Sequence, residues 1–556
     1  MKTEQLVIPI EITLGEPLRG LAAGRVADKA SRRIGALAAD LGISGDIHVT
    51  VSGRDAAGVR PVTITVHGTA LEYPRSLELQ VLVWHRHRNM RTEAGSTGLP
   101  SWHDQLAAGA EETVNAVADL AGHAVAAGAR ALLGPEQVSA WLELAAIPPR
   151  YATLLKPVSA LPKQIAMAAI TPRDGIGDVL ATMLDLSLRI GDHKRIARLL
   201  SALTDVTAAD AAEHIVEAVR PHALEVRVEQ GYLEEITTTG FDANPDIFPF
   251  VRDSLYTDLG LRLPSLSLIP DQDLEPRCFA IRINDITTAP VVGVPPGMCL
   301  VNAVSAQLAT IAPVARSALN PGTGTEGAYA PAALRAELEQ QGYTTWDPLG
   351  HLALTLAETA RTHARGLIDR GVVSRELDRF TRLLPALART SQEIISVNRL
   401  TRLLRSLLDE RVPVRDLRGL LQPLVDHEVI SGLPESDDEL LILARRALGA
   451  SITNRALRWR SIQAYLVDPA LAADIVAAED RTARQAGMSL VAALDAQLAA
   501  LQPGAVPPVL LTTAQARLPV RDAIRSTWPR LTVLAHEDLD SMTNVGPIGR
   551  LSGTSS

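Results

Sequence analysis

The feature that most constrains the fold of this 556-residue chain is an internal repeat of long period. Near the start, the segment LVIPIEITLG is followed by a helical stretch ending in LGI and by the segments DIHVTVSG and PVTITVHG. Alternating apolar and polar residues are typical of half-buried strands, and a glycine after a helical stretch is typical of a helix C-terminus. The order predicts a small βαββ unit.

The same order recurs roughly 217 residues later, which is the signature of a repeated structural unit. ALEVRVEQG is the first strand, a helical stretch ends in LGL, and PSLSLIP and CFAIRINDI form the strand pair. The helices continue the parallel, since LSLRIGDHKRIARLLSAL matches LLDERVPVRDLRGLLQPL with Ile196 aligned with Leu417. Chance similarity of Ala- and Leu-rich helices is the alternative, and the preserved order favours duplication.

The pattern therefore predicts an α+β protein with small βαββ split-sheet cores, each followed by helical subdomains. Residues 1–220 are interpreted as a degenerate N-terminal copy, and residues 221–433 as a second copy. The second copy contains a core sheet, an inserted subdomain (286–345) and a helical subdomain (374–433).

The remaining residues, 434–556, are predicted to form a C-terminal α/β subdomain. Its last part reads as a βαβ-like run, with a strand at 509–511, a helix at 518–528 and a second strand at 531–535.

Composition and charge exclude several classes of function. The net charge is −9, whereas nucleic-acid-binding domains usually show a basic excess. Cys278 and Cys299 are too few for a disulfide framework or a four-cysteine zinc site, so a reducing cytosol is expected. Glu4 and Glu11 interrupt any signal-peptide core, and four prolines break the longest uncharged stretch, 286–315. We expect a chain without a membrane-spanning helix.

Several short patterns could carry chemistry, and each favours an ordinary structural role. GTGTEG (322–327) spells G-x-G-x-x-G, but no βαβ unit precedes it, so a surface turn is favoured over a dinucleotide site. The two histidines of WHRHR (84–88) lack a third metal ligand nearby and favour a solvated strand end. The acids at 437–439 suit a helix N-terminus, where the helix dipole stabilises them.

Two further segments have a local interpretation. In VPVRDLR, Pro413 suits the first turn of a helix, and the charged residues that follow indicate a solvated helix start rather than a ligand site. SGLPESDD (431–438) is a candidate hinge. No catalytic motif is recognisable, so we predict neither an enzyme, nor a cofactor, nor a metal site.

Four segments, in order over residues 223–550, carry a resemblance to a known family. They are DLGLRLPSLSLIPD with PPGMCLVN, GYTTWDPLGHLALTLAETARTHARGLIDR, SVNRLTRLLRSLLDERVPVRDLRGLLQPLVDH, and PVLLTTAQARLPVRDAIRSTWPRLTVLAHEDL. They resemble the cytosolic part of the FHIPEP family, the large export gates of flagellar and virulence type III secretion systems.

The resemblance implies a ring of subunits and the docking of export substrates or their chaperones beside the inserted subdomain. Members of the family often carry D-P-A-F-G where this chain has residues 326–330. Glu326 keeps the acid and Tyr329 keeps the aromatic residue, so both are candidate partner-binding residues. The membrane domain of the family has no counterpart in the sequence. The resemblance therefore implies a cytoplasmic protein, at most peripheral to the inner face of the plasma membrane.

Three hypotheses follow for the function, of which an unrecognised enzyme, to be revealed by a bound nucleotide or metal, has no motif in its support. The first is a non-enzymatic relative of the export gate that binds protein partners as a ring or scaffold. The alternative is a cytosolic adaptor unrelated to secretion, in which the first copy mimics a neighbouring subunit and the chain is a monomer or small oligomer.

Overall fold

The computed structural model describes residues 6–14, 18, 21–53, 62–71, 110–145, 175–203, 206–219, 224–238, 249–260, 266–288, 290–457, 461–477, 480–499, 508–525, 527–528, 530–540 and 543–552. The WHRHR segment lies outside these residues. The chain groups into two compact units, one of residues 1–251 with 264–367 and the other of residues 252–263 with 368–556. The domain boundaries inferred from the sequence at 220 and 433 stay a prediction.

The strands are β1 (Val7–Leu14), β2 (Asp46–Gly53), β3 (Val62–Val66), β4 (Thr69–Leu71), β5 (Leu224–Val228), β6 (Ser267–Pro270), β7 (Cys278–Ile283), β8 (Ile286–Thr287), β9 (Val291–Val292), β10 (Met298–Val301), β11 (Arg316–Asn320), β12 (Thr325–Pro331), β13 (Thr345–Trp346), β14 (Ser461–Val467), β15 (Val509–Thr512), β16 (Val533–Ala535) and β17 (Asn544–Leu551).

The helices are α1 (Ala23–Leu41), α2 (Ala110–Ala127), α3 (Pro135–Ala145), α4 (Gly175–Asp185), α5 (His193–Ser201), α6 (Ala208–Val219), α7 (Gln230–Thr238), α8 (Pro249–Leu259), α9 (Arg335–Gln340), α10 (Pro348–Thr362), α11 (Arg370–Leu383), α12 (Pro385–Ile394), α13 (Val397–Asp409), α14 (Leu417–Ser431), α15 (Asp437–Ala447), α16 (Gly449–Ala456), α17 (Pro469–Val476), α18 (Asp480–Ala499) and α19 (Ala514–Ile524). Within the described ranges, no helix combines the length and the apolar character that crossing a membrane requires.

The first two sheets share one topology. β1 pairs in parallel with β2 and antiparallel with β3, which pairs with β4. β5 likewise pairs in parallel with β6 and antiparallel with β7, which pairs with β8 and β9. Inward residues of β1 such as Ile8 and Ile12 are fully buried, as the alternating sequence predicts. The α+β fold with small split sheets is confirmed.

Backbone conformations recur at matching places in the two halves. Gly42 ends α1 with φ 77°, and Gly260 ends α8 with φ 79°. The hairpin turns after β3 and β7 both begin with a left-handed residue, His67 (φ 49°) or Asn284 (φ 53°). Such agreement is what a duplication predicts, because a non-glycine residue adopts positive φ only where its surroundings demand it. The duplication itself stays a prediction.

When the helices α5 and α14 are aligned on their capping residues, the register differs from that of the sequence alignment. Asp192 caps α5 and Asp416 caps α14, each accepting a hydrogen bond from the backbone three residues on. These caps place Ile196 opposite Leu420 rather than Leu417, and Pro413 before the helix rather than in its first turn. Leucines spaced three and four residues apart fit several registers equally well, so only the capping residue distinguishes them.

The described residues contain two more sheets. The inserted subdomain is an antiparallel sheet in the order β11-β12-β10-β13. The C-terminal sheet is parallel, in the order β16-β15-β14-β17, which matches the expected βαβ-like run. Its helix α19 begins at Ala514, earlier than the predicted residue 518, because the Thr513 hydroxyl accepts a hydrogen bond from the Ala516 backbone and caps it there.

Candidate partner-binding surface

Glu326 lies near the tip of the β11–β12 hairpin, opposite Leu319 in the register of the two strands. The Asn320 carboxamide oxygen accepts a hydrogen bond from the Gly322 backbone at 2.9 Å, and the Gly324 backbone donates to the Asn320 carbonyl at 2.8 Å. Gly324 has φ 71°, a conformation that favours glycine. The turn therefore holds the exposed Glu326 side chain in a defined position on the surface.

Tyr329 lies on the same strand but points into the subdomain. Its side chain is only 2% exposed and packs with Val294 and Leu300. Its ring centroid is 6.4 Å from that of His351, in an edge-to-face arrangement. Burial raises the pKa of the Tyr329 hydroxyl, so the group stays neutral at physiological pH.

The structure does not bring the two sequence candidates together on one surface. Successive side chains of a strand alternate between its faces, so residues three positions apart, such as Glu326 and Tyr329, point to opposite sides. Glu326 is available to a partner, whereas Tyr329 supports the hairpin from inside. Their role in partner binding stays a prediction.

The other patterns in the sequence have structural roles. GTGTEG joins two antiparallel strands as a hairpin turn, as predicted, and no βαβ unit surrounds it. Asp437 lies in the first turn of α15, as predicted, and its two carboxylate oxygens accept hydrogen bonds from Arg399 at 3.1 Å and Arg402 at 3.0 Å. The acids therefore stabilise a helix start.

A buried ion network in the second unit was not anticipated from the sequence. The Arg445 guanidinium is 1% exposed; it donates to Asp538 at 2.7 Å and to Glu410 at 2.6 Å. The fully buried Arg517 also donates to Glu410. Although burial opposes the charge, the carboxylates of Glu410 and Asp538 raise the pKa of Arg445. The network ties α13, α15 and α19 to the segment after β16.

Asp522 borders this network, and its raised pKa predicts that the stability of the protein depends on pH. Burial, together with the nearby Asp409 and Glu410, raises its pKa from 3.8 to about 6, against the opposing effect of Arg525. The folded state therefore holds a proton between about pH 4 and 6 that the unfolded state releases, so stability falls as the pH rises through this range.

Asp522→Asn removes this dependence. We expect the variant to gain roughly 1–3 kcal/mol over the wild type above pH 6 and little at pH 4. Urea unfolding at several pH values measures the difference. Asp474→Asn, at an exposed position of α17, is the control, and equal gains for both variants would contradict the assignment.

Comparison with known proteins identifies the family to which this architecture belongs. The sequence model of the FHIPEP family matches residues 179–544. The chain belongs to the FHIPEP family. It is 24% identical to the flagellar biosynthesis protein FlhA of Escherichia coli, over 54% of this chain and 44% of the relative. It is 27% identical to the hypersensitivity response secretion protein HrcV of Ralstonia nicotianae, again over 54% and 44%.

Similarity to a solved structure supports the fold. The chain superimposes on the Chlamydia pneumoniae CdsV protein with a TM-score of 0.51 and 21% identity, covering 59% of this chain and 97% of that one. It matches CdsV in its complex with CdsO with a TM-score of 0.52, over 60% and 99%. This FHIPEP chain spans less than half the length of FlhA from Escherichia coli and of HrcV.

Proposed function

We propose that this protein is a non-enzymatic export-gate component that binds protein substrates or their chaperones, as a ring or scaffold. The match of the FHIPEP family to residues 179–544 carries the proposal. The inserted subdomain supports it as well, because Glu326 is exposed on its β11–β12 hairpin. We further propose that it acts in the cytoplasm, at or near the inner face of the membrane.

Removal of the chain from its own cells tests the function. We expect a defined set of proteins to disappear from the medium, and to return when the wild-type chain is restored, as quantified by mass spectrometry of the secreted fraction. An unchanged secreted fraction would instead favour the adaptor that is unrelated to secretion.

Glu326→Lys tests the proposed binding surface. We expect roughly five-fold less release of the affected proteins, because reversing the charge at a contact weakens complementarity by about 1 kcal/mol. Glu337→Lys, at an exposed position of α9 in the same subdomain, makes the same charge change away from the hairpin. Release that is equally high for both variants and the wild type would exclude Glu326 from the surface.

Sedimentation velocity of the purified chain tests the assembly. A species of many subunits is expected for a ring, whereas a single species of 59.4 kDa would overturn the ring.

A further inference from the structure

The first unit contains a contact between one half of the repeat and the other. The turn at 284–285, between β7 and β8, meets the loop at 186–190, which follows α4. The Asp285 backbone donates to the Ser187 carbonyl at 2.9 Å, and the Asn284 amide donates to the Leu186 carbonyl at 2.9 Å. Ile286 packs against the core of the N-terminal half.

A charged pair completes this contact. The Arg189 backbone donates to the Asp285 carboxylate at 3.0 Å, and the Arg189 guanidinium lies 3.7 Å from the same carboxylate. Asn284 is 3% exposed and also donates to the Gly366 carbonyl of its own half at 2.9 Å. One turn therefore links its own half to the N-terminal half.

The turn at 284–285 and the loop at 186–190 each have a counterpart in the other half of the repeat. The turn at 67–68 corresponds to the turn at 284–285, because both follow the third strand of a sheet and begin with a left-handed residue. The loop at 410–414 corresponds to the loop at 186–190. Ser187 (φ 61°) and Arg411 (φ 58°) share a left-handed conformation at equivalent places.

Hydrogen bonds at the helix ends fix the alignment of these loops. The Ile190 backbone donates to the Leu41 carbonyl at 2.7 Å, and the Val414 backbone donates to the Leu259 carbonyl at 2.9 Å. Leu41 and Leu259 are the last residues of α1 and α8. Arg189 therefore corresponds to Pro413, and Asp285 corresponds to Gly68.

Neither residue of the charged pair is present at these second positions. Gly68 has no carboxylate, and Pro413 has neither a cationic side chain nor a backbone N–H. The turn and the loop that contact each other thus carry both members of the charged pair, whereas the corresponding turn at 67–68 and loop at 410–414 lack both.

We infer that the turn at 284–286 is a docking surface whose partner is the N-terminal half of the same chain, and that this contact is a head-to-tail subunit contact brought inside one polypeptide. Head-to-tail contacts generate rings or filaments when every unit repeats them. Because Gly68 and Pro413 cannot form the ion pair, this particular contact closes within the chain, and a ring of whole chains would have to form through other surfaces. The inference does not depend on a role in secretion.

The first experiment places the residues of the turn at 67–68 in the turn at 284–285. In Asn284→His with Asp285→Gly, we expect amide exchange at the 186–190 loop to rise at least ten-fold, since Arg189 loses its acceptor. The matched control, His67→Asn with Gly68→Asp, changes the other turn and should leave that exchange unaltered. Circular dichroism checks that each variant is folded. Unchanged exchange in a folded Asn284→His, Asp285→Gly variant would overturn the inference.

The second experiment introduces the ion pair at the corresponding positions 68 and 413, and it decides between the outcomes if the first variant fails to fold. Gly68→Asp with Pro413→Arg should produce association beyond that of the wild type, which depends on concentration and is reversed by salt, as followed by sedimentation velocity. Each single variant should sediment like the wild type. A double variant that associates no more than the single variants would overturn the equivalence of the two contacts.

Discussion

Arg445→Met is expected to lower the free energy of unfolding of the second unit by about 3–5 kcal/mol. The reason is the burial of its two partners. Glu410 and Asp538 have side chains only 8% and 5% exposed, so without Arg445 only Arg517 faces the two carboxylates, and one negative charge is left that water cannot solvate. Removing one member of a buried ion pair costs more than the pair contributes, because the other member remains desolvated.

Urea unfolding measures this effect, with Arg525→Met as the control. The Arg525 side chain is 45% exposed and lies 3.6 Å from Asp409, so its loss should cost no more than about 1 kcal/mol. Arg445→Met combined with Asp538→Asn should recover part of the loss, since the second substitution removes the unpaired negative charge and leaves Glu410 with Arg517. Equal losses for Arg445→Met and Arg525→Met would show that water reaches the network and screens its charges.

Gly260→Ala should destabilise the second unit by about 3–5 kcal/mol. Gly260 has φ 79°, where an L-residue loses about 1–2 kcal/mol, and an added Cβ would overlap the Arg415 backbone. The overlap cannot be relieved by rotating a side chain. The backbone would have to move, which breaks the 2.9 Å hydrogen bond between Val414 and Leu259.

Gly432→Ala separates the two contributions. Gly432 has φ 77° and ψ 150°, a conformation almost confined to glycine, but a Cβ there would meet nothing within 4 Å, so Gly432→Ala should cost only the conformational term of about 1–3 kcal/mol. Gly42→Ala is the counterpart in the first unit, since its Cβ would overlap the Gly191 backbone, and it should cost as much as Gly260→Ala. Thermal unfolding compares the three. A Gly260→Ala loss no larger than that of Gly432→Ala would contradict the close approach.

Local pattern was enough to predict the elements on which the fold is built. The alternation in LVIPIEITLG predicts β1, and LGI and LGL predict the glycine-ended helices α1 and α8. Ordered motifs over 223–550 also indicated the FHIPEP family, which the family match over 179–544 confirms. The caps Asp192 and Asp416 give α5 and α14 a different register from the leucine alignment, because leucine spacing repeats every three or four residues and does not mark where a helix begins.

The sequence by itself determined where strands and helices form and to which family they belong, because those properties depend on neighbours a few residues apart. Only the tertiary structure decided that Tyr329 is buried while Glu326 is exposed. The segments that cover each face of a strand come from distant parts of the chain, so the local sequence does not show which face is covered. The tertiary structure also decided that Arg445 meets Asp538, 93 residues away, and that the turn at 284–285 meets the loop at 186–190. Partners so far apart in the chain leave no periodic signal, because folding alone brings them within bonding distance.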